Sequence, residues 1–330
     1  MRGVVANGKV ISKKLVAYAP SDSKVICFKI RNIENRSSFW NLLLEECTKA
    51  DLVVYLAYHH RDFRINLTLL LKILSVLKKN YWQGKIIFFN TQSTLSADVL
   101  KTPKELKEIF RFDLYTFTKR LQSWFLSRYS RLLNISEIYL PVVLGEDTKA
   151  NKTYKSISKY NYIHLPQMGK NNFAYIYVDV FLSWFWNLSL KELIKVGIKQ
   201  KYLKIFVYQG ISTFGQMLIK FKNKYDTTSK TLVNKNTSMV FKDCKYKYRF
   251  SNDLITNFIY GLKLTPIWLM LSFLQYELRK LISFRFNNSR ELRNHIPNKI
   301  SYVPTGPEYQ YFCSSIILSK IKFKIVKVKF

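Results

Sequence analysis

A series of short apolar runs constrains this chain more than any other feature. Lys24-Val25-Ile26-Cys27-Phe28, Asp51-Leu52-Val53-Val54-Tyr55-Leu56-Ala57 and Lys85-Ile86-Ile87-Phe88-Phe89 carry apolar residues at successive positions, not alternate ones, and 138–144 continues the series. A strand of that kind must be covered on both faces. Between the runs, apolar residues recur at helical spacing: Trp40, Leu43, Leu44 and Cys47 within 40–50, then Leu67, Leu70, Leu71 and Leu74 within 66–77. A long helix is expected within 108–133. Strands that alternate with helices pair in parallel. The expected fold class is therefore α/β, a doubly wound parallel sheet with a smaller, mixed C-terminal region.

The texture changes after Gly145. The stretch 146–159 is rich in Lys, Thr, Ser and Asn and reads as a loop. Ala174-Tyr175-Ile176-Tyr177-Val178 reads as a strand, followed by a helix with Asp179 as its N-cap. The stretch 221–250 is basic and polar with little periodicity. The greasy run 264–274 is too short to span a bilayer, which needs roughly 20 apolar residues. It reads as a buried helix, with a membrane-surface helix as the alternative because Arg279 and Lys280 follow it. In 320–330, Lys alternates with Ile, Phe or Val, as in an edge strand whose charges discourage further pairing.

Composition enters as a limit. The chain of 330 residues has 54 Lys and Arg against 21 Asp and Glu, a formal charge of +33. With 48% hydrophobic and 16% aromatic residues it is no disordered basic tail. The abundance of Lys, Ile, Asn, Phe and Tyr together matches AT-rich codons, and no basic motif is concentrated, so no nucleic-acid partner is expected. Cys27, Cys47, Cys244 and Cys313 are scattered without a metal-ligand spacing, so no metal is expected. The thiols read as reduced and mostly buried. No apolar signal segment opens the chain, and a cytoplasmic protein is expected.

Ligands of parallel α/β sheets gather at the carboxyl ends of the strands. Those ends carry Ala57, then Asn90-Thr91-Gln92-Ser93, then 141–145. Between the last two lies Tyr115-Thr116-Phe117-Thr118-Lys119. A Tyr and a Lys four apart share a helix face, and an adjacent ammonium favours the phenolate. The spacing alone says little, since Tyr81/Lys85 and Tyr276/Lys280 share it. Tyr115 and Lys119 stand out because their helix follows a strand end bearing Thr91, whose hydroxyl could hold a substrate oxygen. The adjacent His59 and His60 read as solvent-facing loop residues.

In this order of elements the sequence resembles the extended short-chain dehydrogenase/reductase superfamily, in its NAD-dependent epimerase/dehydratase branch acting on nucleotide-sugars. Ala50 to Ala57 is similar to the family's strand ending in Ala beside the cofactor. Asn66 is similar to the Asn that opens the next helix. Phe89-Asn90-Thr91-Gln92-Ser93 resembles the strand end with the catalytic Ser/Thr, and Tyr115 and Lys119 match the Tyr-xxx-Lys pair. Leu140-Pro141-Val142-Val143-Leu144-Gly145 resembles the strand near the nicotinamide. Leu165-Pro166-Gln167-Met168-Gly169 with Tyr177-Val178-Asp179, and Val207-Tyr208-Gln209-Gly210 through Thr213, are similar to the later segments.

The resemblance implies a Rossmann-like dinucleotide-binding region over 1–148 and a substrate-binding region over 149–330, with 173–215 returning to the Rossmann sheet. It implies NAD or NADP as cofactor and a nucleotide-sugar as substrate, in surface polysaccharide biosynthesis. Catalytic roles fall on Thr91, Tyr115 and Lys119. Cofactor contacts fall on Asn7, Gly8, Arg31, Ala57, Asn66, Lys119 and Pro141, with Arg31 suiting a 2′-phosphate. Peripheral membrane contact and a homodimer stay open.

The chain also departs from the pattern. It has only 10 glycines, and the phosphate loop is where they are missed. Asn7-Gly8 is present, but Val5 and Ile11 or Ser12 stand at other glycine positions, where the backbone would approach a pyrophosphate. The stretch before Ala57 is short, as though a strand–helix pair were trimmed. Tyr139 stands where an Arg is frequent before the Pro, and Leu144 replaces an aromatic. These departures keep two alternatives in view: a relative that keeps the fold and binds without catalysis, and a basic nucleic-acid or membrane-surface binder.

Overall fold

The computed structural model describes residues 1–6, 11–28, 37–56, 63–95, 114–157, 172–189, 202–225, 265–285 and 324–328. The first half alternates strand and helix. Its elements are β1 (Arg2–Ala6), α1 (Ile11–Ala17), β2 (Lys24–Phe28), α2 (Ser37–Lys49), β3 (Leu52–Tyr55), α3 (Phe63–Lys79), β4 (Lys85–Thr91), α4 (Leu114–Tyr129) and β5 (Asn134–Leu140). There follow β6 (Val142–Leu144), α5 (Lys149–Ile157), β7 (Asn172–Tyr177), α6 (Val178–Trp184), β8 (Tyr202–Tyr208), β9 (Gly210–Thr213), α7 (Phe214–Tyr225), α8 (Pro266–Arg285) and β10 (Lys324–Lys327).

Seven strands form one sheet in the order β10-β8-β5-β4-β3-β1-β2, and every pairing in it is parallel. β6, β7 and β9 form a small mixed sheet. The consecutive apolar positions divide between the two faces. Val53, Tyr55, Ile86 and Phe88 pack with Leu43, Leu70, Leu74 and Leu126 of α2, α3 and α4. Leu52, Val54, Ile87 and Phe89 pack with Leu15 of α1 and Phe181 of α6. Each fully buried side chain of this kind contributes about 1.5–3 kcal/mol relative to exposure. A doubly covered sheet thus follows from the absence of alternation.

Among the described residues, the sheet has a single strand, β2, on the far side of β1. The short stretch before β3 leaves no room for another strand–helix pair there. At the other edge, β10 pairs among the described residues only with β8, and Lys324 and Lys327 are exposed. This is the charged edge strand expected from the C-terminal pattern. β2 is the opposite edge, so Cys27 is exposed while Cys47 is buried in α2.

Three local expectations are corrected. The single strand expected over 138–144 is two strands. β5 starts at Asn134 and stops at Leu140, and Val142–Leu144 leaves the large sheet to pair with β7. Pro141 has no N–H to continue the ladder, and the chain changes sheet there. The polar stretch read as a loop contains α5. Thr148 caps it, its Oγ1 accepting the Asn151 N–H at 3.2 Å, and Tyr154 anchors it, fully buried against Phe173 and Phe221 at ring distances of 6.4 and 5.0 Å. One cap and one aromatic outweigh the polar composition. Asp179 is not the N-cap of α6, a position held by Tyr177. It lies in the first turn and accepts from Lys14 Nζ at 2.8 Å and Tyr18 Oη at 3.1 Å, tying α6 to α1.

The run expected as a buried helix forms α8, which docks through Phe273 onto Phe63 and Phe117 at 5.1 and 6.3 Å. Its other side leaves Ile267, Met270, Leu271 and Leu274 exposed. Among the described residues no helix is long and apolar enough to cross a membrane.

Candidate active site

Strand order turns at β1, which has β2 on one side and β3 on the other. In such sheets the crevice beyond the carboxyl ends at the turning point is the place for a ligand. Ala6 and Tyr55 are register partners at that edge. Asn7, Gly8, Arg31 and Ala57, expected at the cofactor, lie outside the described residues, as do His59 and His60.

Next in the sheet, β4 runs three residues beyond the partner of Tyr55, ending at Thr91 beside Leu140. The Thr91 N–H donates to Asn90 Oδ1 at 2.8 Å, and its carbonyl accepts Thr94 Oγ1 at 2.7 Å. This tight turn fixes the backbone at the strand end and leaves the Thr91 side chain half-buried. Asn90 is buried, and its Nδ2 has no hydrogen-bond partner. An unpaired buried amide N–H is costly, and an acceptor arriving at this end of the sheet would relieve it.

Across this end lies α4. Tyr115, in its first turn, is half-buried; Lys119, one turn on, is 3% exposed. Lys119 Nζ donates to the Phe89 carbonyl at 3.0 Å and sits 4.5 Å over the Phe88 ring. Burial pushes its pKa down to about 7, and the charge of Glu137 acts in the opposite direction. The structure therefore brings Lys119 to the carboxyl-terminal part of β4, two residues before Thr91, and holds Tyr115 on the same helix.

The remaining predicted residues have mainly framework contacts. Asn66 is fully buried in α3, which begins three residues earlier, at Phe63, so Asn66 does not open the helix. Its carbonyl accepts Tyr55 Oη and Gln122 Nε2, both at 3.0 Å, and joins β3, α3 and α4. Pro141 is buried at the change of sheet. Gly145 follows β6 at φ 128°, where an added Cβ would meet Val178 Cγ1 at 2.6 Å.

One group escaped the sequence reading. Glu137, in the middle of β5, is fully buried. Its carboxylate accepts Ser123 Oγ at 2.7 and 2.8 Å, Tyr202 Oη at 2.8 Å, and Tyr139 Oη. Tyr139 keeps its proton well above the ordinary phenol range, through burial and then the Glu137 charge. The signal was present: a lone acid between Ile135 and Ile138 in an apolar strand must find donors.

A dinucleotide needs donors for its ribose and carboxamide oxygens. The Lys119 ammonium and the unpaired Asn90 Nδ2, both at the carboxyl end of β4, fit that need. Among the described residues no group of three His, Cys, Asp or Glu could hold a metal ion.

No family model matches the chain, and no curated protein matches it by sequence. Solved structures do. The dTDP-glucose 4,6-dehydratase of Bacillus anthracis, in complex with NAD, is 14% identical with a TM-score of 0.53, over 70% of this chain and 82% of that one. Epimerase Mth375 of Methanothermobacter thermautotrophicus is 12% identical with a TM-score of 0.51, over 84% and 94%. MoeE5 in complex with UDP-glucose and NAD is 10% identical with a TM-score of 0.50, over 68% and 82%. With these proteins the chain shares the Rossmann-like α/β fold; here that fold is a parallel sheet covered on both faces, with a small mixed sheet beside it.

Proposed function

We propose that the chain is an NAD(P)-dependent enzyme of the extended short-chain dehydrogenase/reductase superfamily. It acts on a nucleotide-sugar as an epimerase, dehydratase or reductase, in the making of surface polysaccharide. The observation that carries this reading is the seating of Lys119 on the Phe89 carbonyl, which sets the Tyr115 helix against the strand end bearing Thr91.

The nicotinamide, when bound, supplies a reversible hydride acceptor at a sugar carbon. The chain's own residues do the rest. Thr91 Oγ1 hydrogen-bonds the reacting sugar oxygen and orients it. Tyr115 takes the hydroxyl proton as that carbon is oxidised and returns it on reduction. Lys119 presents a cation one turn from Tyr115, lowers the cost of the phenolate and donates to ribose hydroxyls. Asn90 Nδ2 is a second donor for the dinucleotide. By the resemblance, Asn7 and Gly8 serve the phosphate loop, and Arg31 and Ala57 supply further cofactor contacts.

Incubation with NAD(H) or NADP(H) and UDP- or dTDP-sugars tests this reading. A change in nicotinamide absorbance, or a sugar altered at one carbon, is expected, and an unchanged sugar with every pair counts against it. The second reading, binding without turnover, draws on Val5 and Ile11 or Ser12 at the phosphate loop. It predicts dinucleotide binding with no altered sugar.

A further inference from the structure

Among the described residues, Glu137 is the only buried acidic side chain. Removing a carboxylate from water costs several kcal/mol unless hydrogen bonds replace the solvent, and here three hydroxyls do so. Its place relates it to the candidate site. Glu137 is the register partner of Phe88 across β4 and β5, and Phe88 is the ring beneath Lys119 Nζ. Neighbouring strands lie about 4.8 Å apart, so acid and ammonium share one face of the sheet, about one strand apart. Both are covered by α4, and Ser123, which donates to Glu137, lies one turn beyond Lys119 on that helix.

We propose that Glu137 is a positioning residue for the Tyr115/Lys119 pair: it clamps α4 to the sheet through Ser123 and supplies the buried negative charge that keeps Lys119 an ammonium. The role rests on the reading of Tyr115 and Lys119 as the reactive pair. A neutral acceptor at position 137 could hold the hydroxyls, but only a carboxylate offsets a buried cation. The other titratable or charged groups near this layer are Tyr139 of β5, Tyr202 and Lys204 of β8, Tyr55 of β3 and Tyr115 of α4. Lys204, register partner of Glu137 and 5.6 Å over the Tyr202 ring, is partly exposed and shares the Glu137 field with Lys119.

The test is the titration of the Lys119 side chain by NMR of 13Cε-lysine-labelled full chain, with the resonance assigned by its loss in Lys119→Arg. Wild type, Glu137→Asp and Glu137→Gln are compared. The expected order of midpoints is wild type highest, Asp lower and Gln lowest, the last by about one pH unit, a tenfold loss of proton affinity. If either variant does not fold, the remaining one still has to fall below wild type. Equal midpoints in the folded proteins overturn the proposal, because a purely structural Glu137 would alter stability and leave Lys119 unmoved. The titration uses no dinucleotide or sugar. Its failure therefore removes the role of Glu137, while failure of the proposed function would show as an absence of dinucleotide binding.

Discussion

Lys119 Nζ donates to the backbone carbonyl of Phe89 at 3.0 Å, from helix α4 to strand β4 two residues before its end. That bond joins the two halves of the candidate site, since Tyr115 belongs to the helix and Thr91 to the strand.

In the proposed reaction the sugar hydroxyl proton passes through Tyr115. Tyr115→Phe removes the group proposed to move it and leaves a ring of the same shape. Turnover of the nucleotide-sugar should fall by roughly 10²–10⁴-fold, the usual worth of a positioned acid–base group. Dinucleotide affinity, by titration, should stay within about twofold, well inside the tenfold that 1.4 kcal/mol represents. A parallel loss of affinity would mean that Tyr115 supports the site and not the chemistry.

Thr91→Val keeps the branched shape of the strand end and removes only the hydroxyl. The backbone bond from Thr91 N–H to Asn90 Oδ1 is independent of the side chain, so the fold should persist. A loss of the bond to the reacting oxygen should appear in kcat/KM at about tenfold or more, since a hydrogen bond is worth about 1 kcal/mol and more to a charged group.

Stability should depend on pH through Lys119. In the unfolded chain its ammonium keeps its proton to about pH 10.4, whereas burial brings the folded value to about 7. Between those values the unfolded state binds more protons, so stability is lowest at the acid side and rises with pH. The slope should approach about 1.4 kcal/mol per pH unit for this one group. Lys85, lowered to about 8 by burial, adds to it at the upper end. The Cys47 thiol, pushed up to about 12, opposes it only above the ordinary thiol range. Denaturant melts between about pH 6.5 and 8.5 should show the rise in wild type and a flatter line in Lys119→Met.

Two substitutions test the packing around the second sheet. Tyr154→Ala empties a fully buried aromatic site against Phe173 and Phe221 and should cost about 3–5 kcal/mol. Gly145→Ala places a methyl group 2.6 Å from Val178 Cγ1 at φ 128°, a backbone region open essentially to glycine, and should cost at least about 1–3 kcal/mol. Both are read by denaturant unfolding. An effect below about 0.5 kcal/mol, the level of an ordinary surface change, would contradict the packing described.

Much of the fold was legible because consecutive apolar residues in β3 and β4 leave few alternatives to a doubly covered parallel sheet. The charged edge at β10 was legible from the opposite pattern, the alternation of Lys with Ile, Phe or Val. What was hidden depended on single residues whose partners are remote in sequence. Thr148 and Tyr154 make a helix of a polar stretch through contacts with Phe173 and Phe221. Pro141 moves the chain to another sheet, which an apolar run conceals. Around the site, Tyr115, Lys119 and Thr91 could be picked out by type and order. Glu137 shows in the sequence only as a lone acid in an apolar strand; its donors Ser123, Tyr139 and Tyr202 come from three elements that only the fold assembles.

On the proposed reading this sheet holds a nicotinamide dinucleotide, although Val5 and Ile11 or Ser12 stand where the resemblance expects loop glycines. Isothermal titration of the full chain with NAD, NADH, NADP and NADPH tests it most directly. Saturable binding of at least one of them near one equivalent, weakened tenfold or more in Lys119→Met, is the predicted result. Heats that stay flat for all four at millimolar concentration would contradict it.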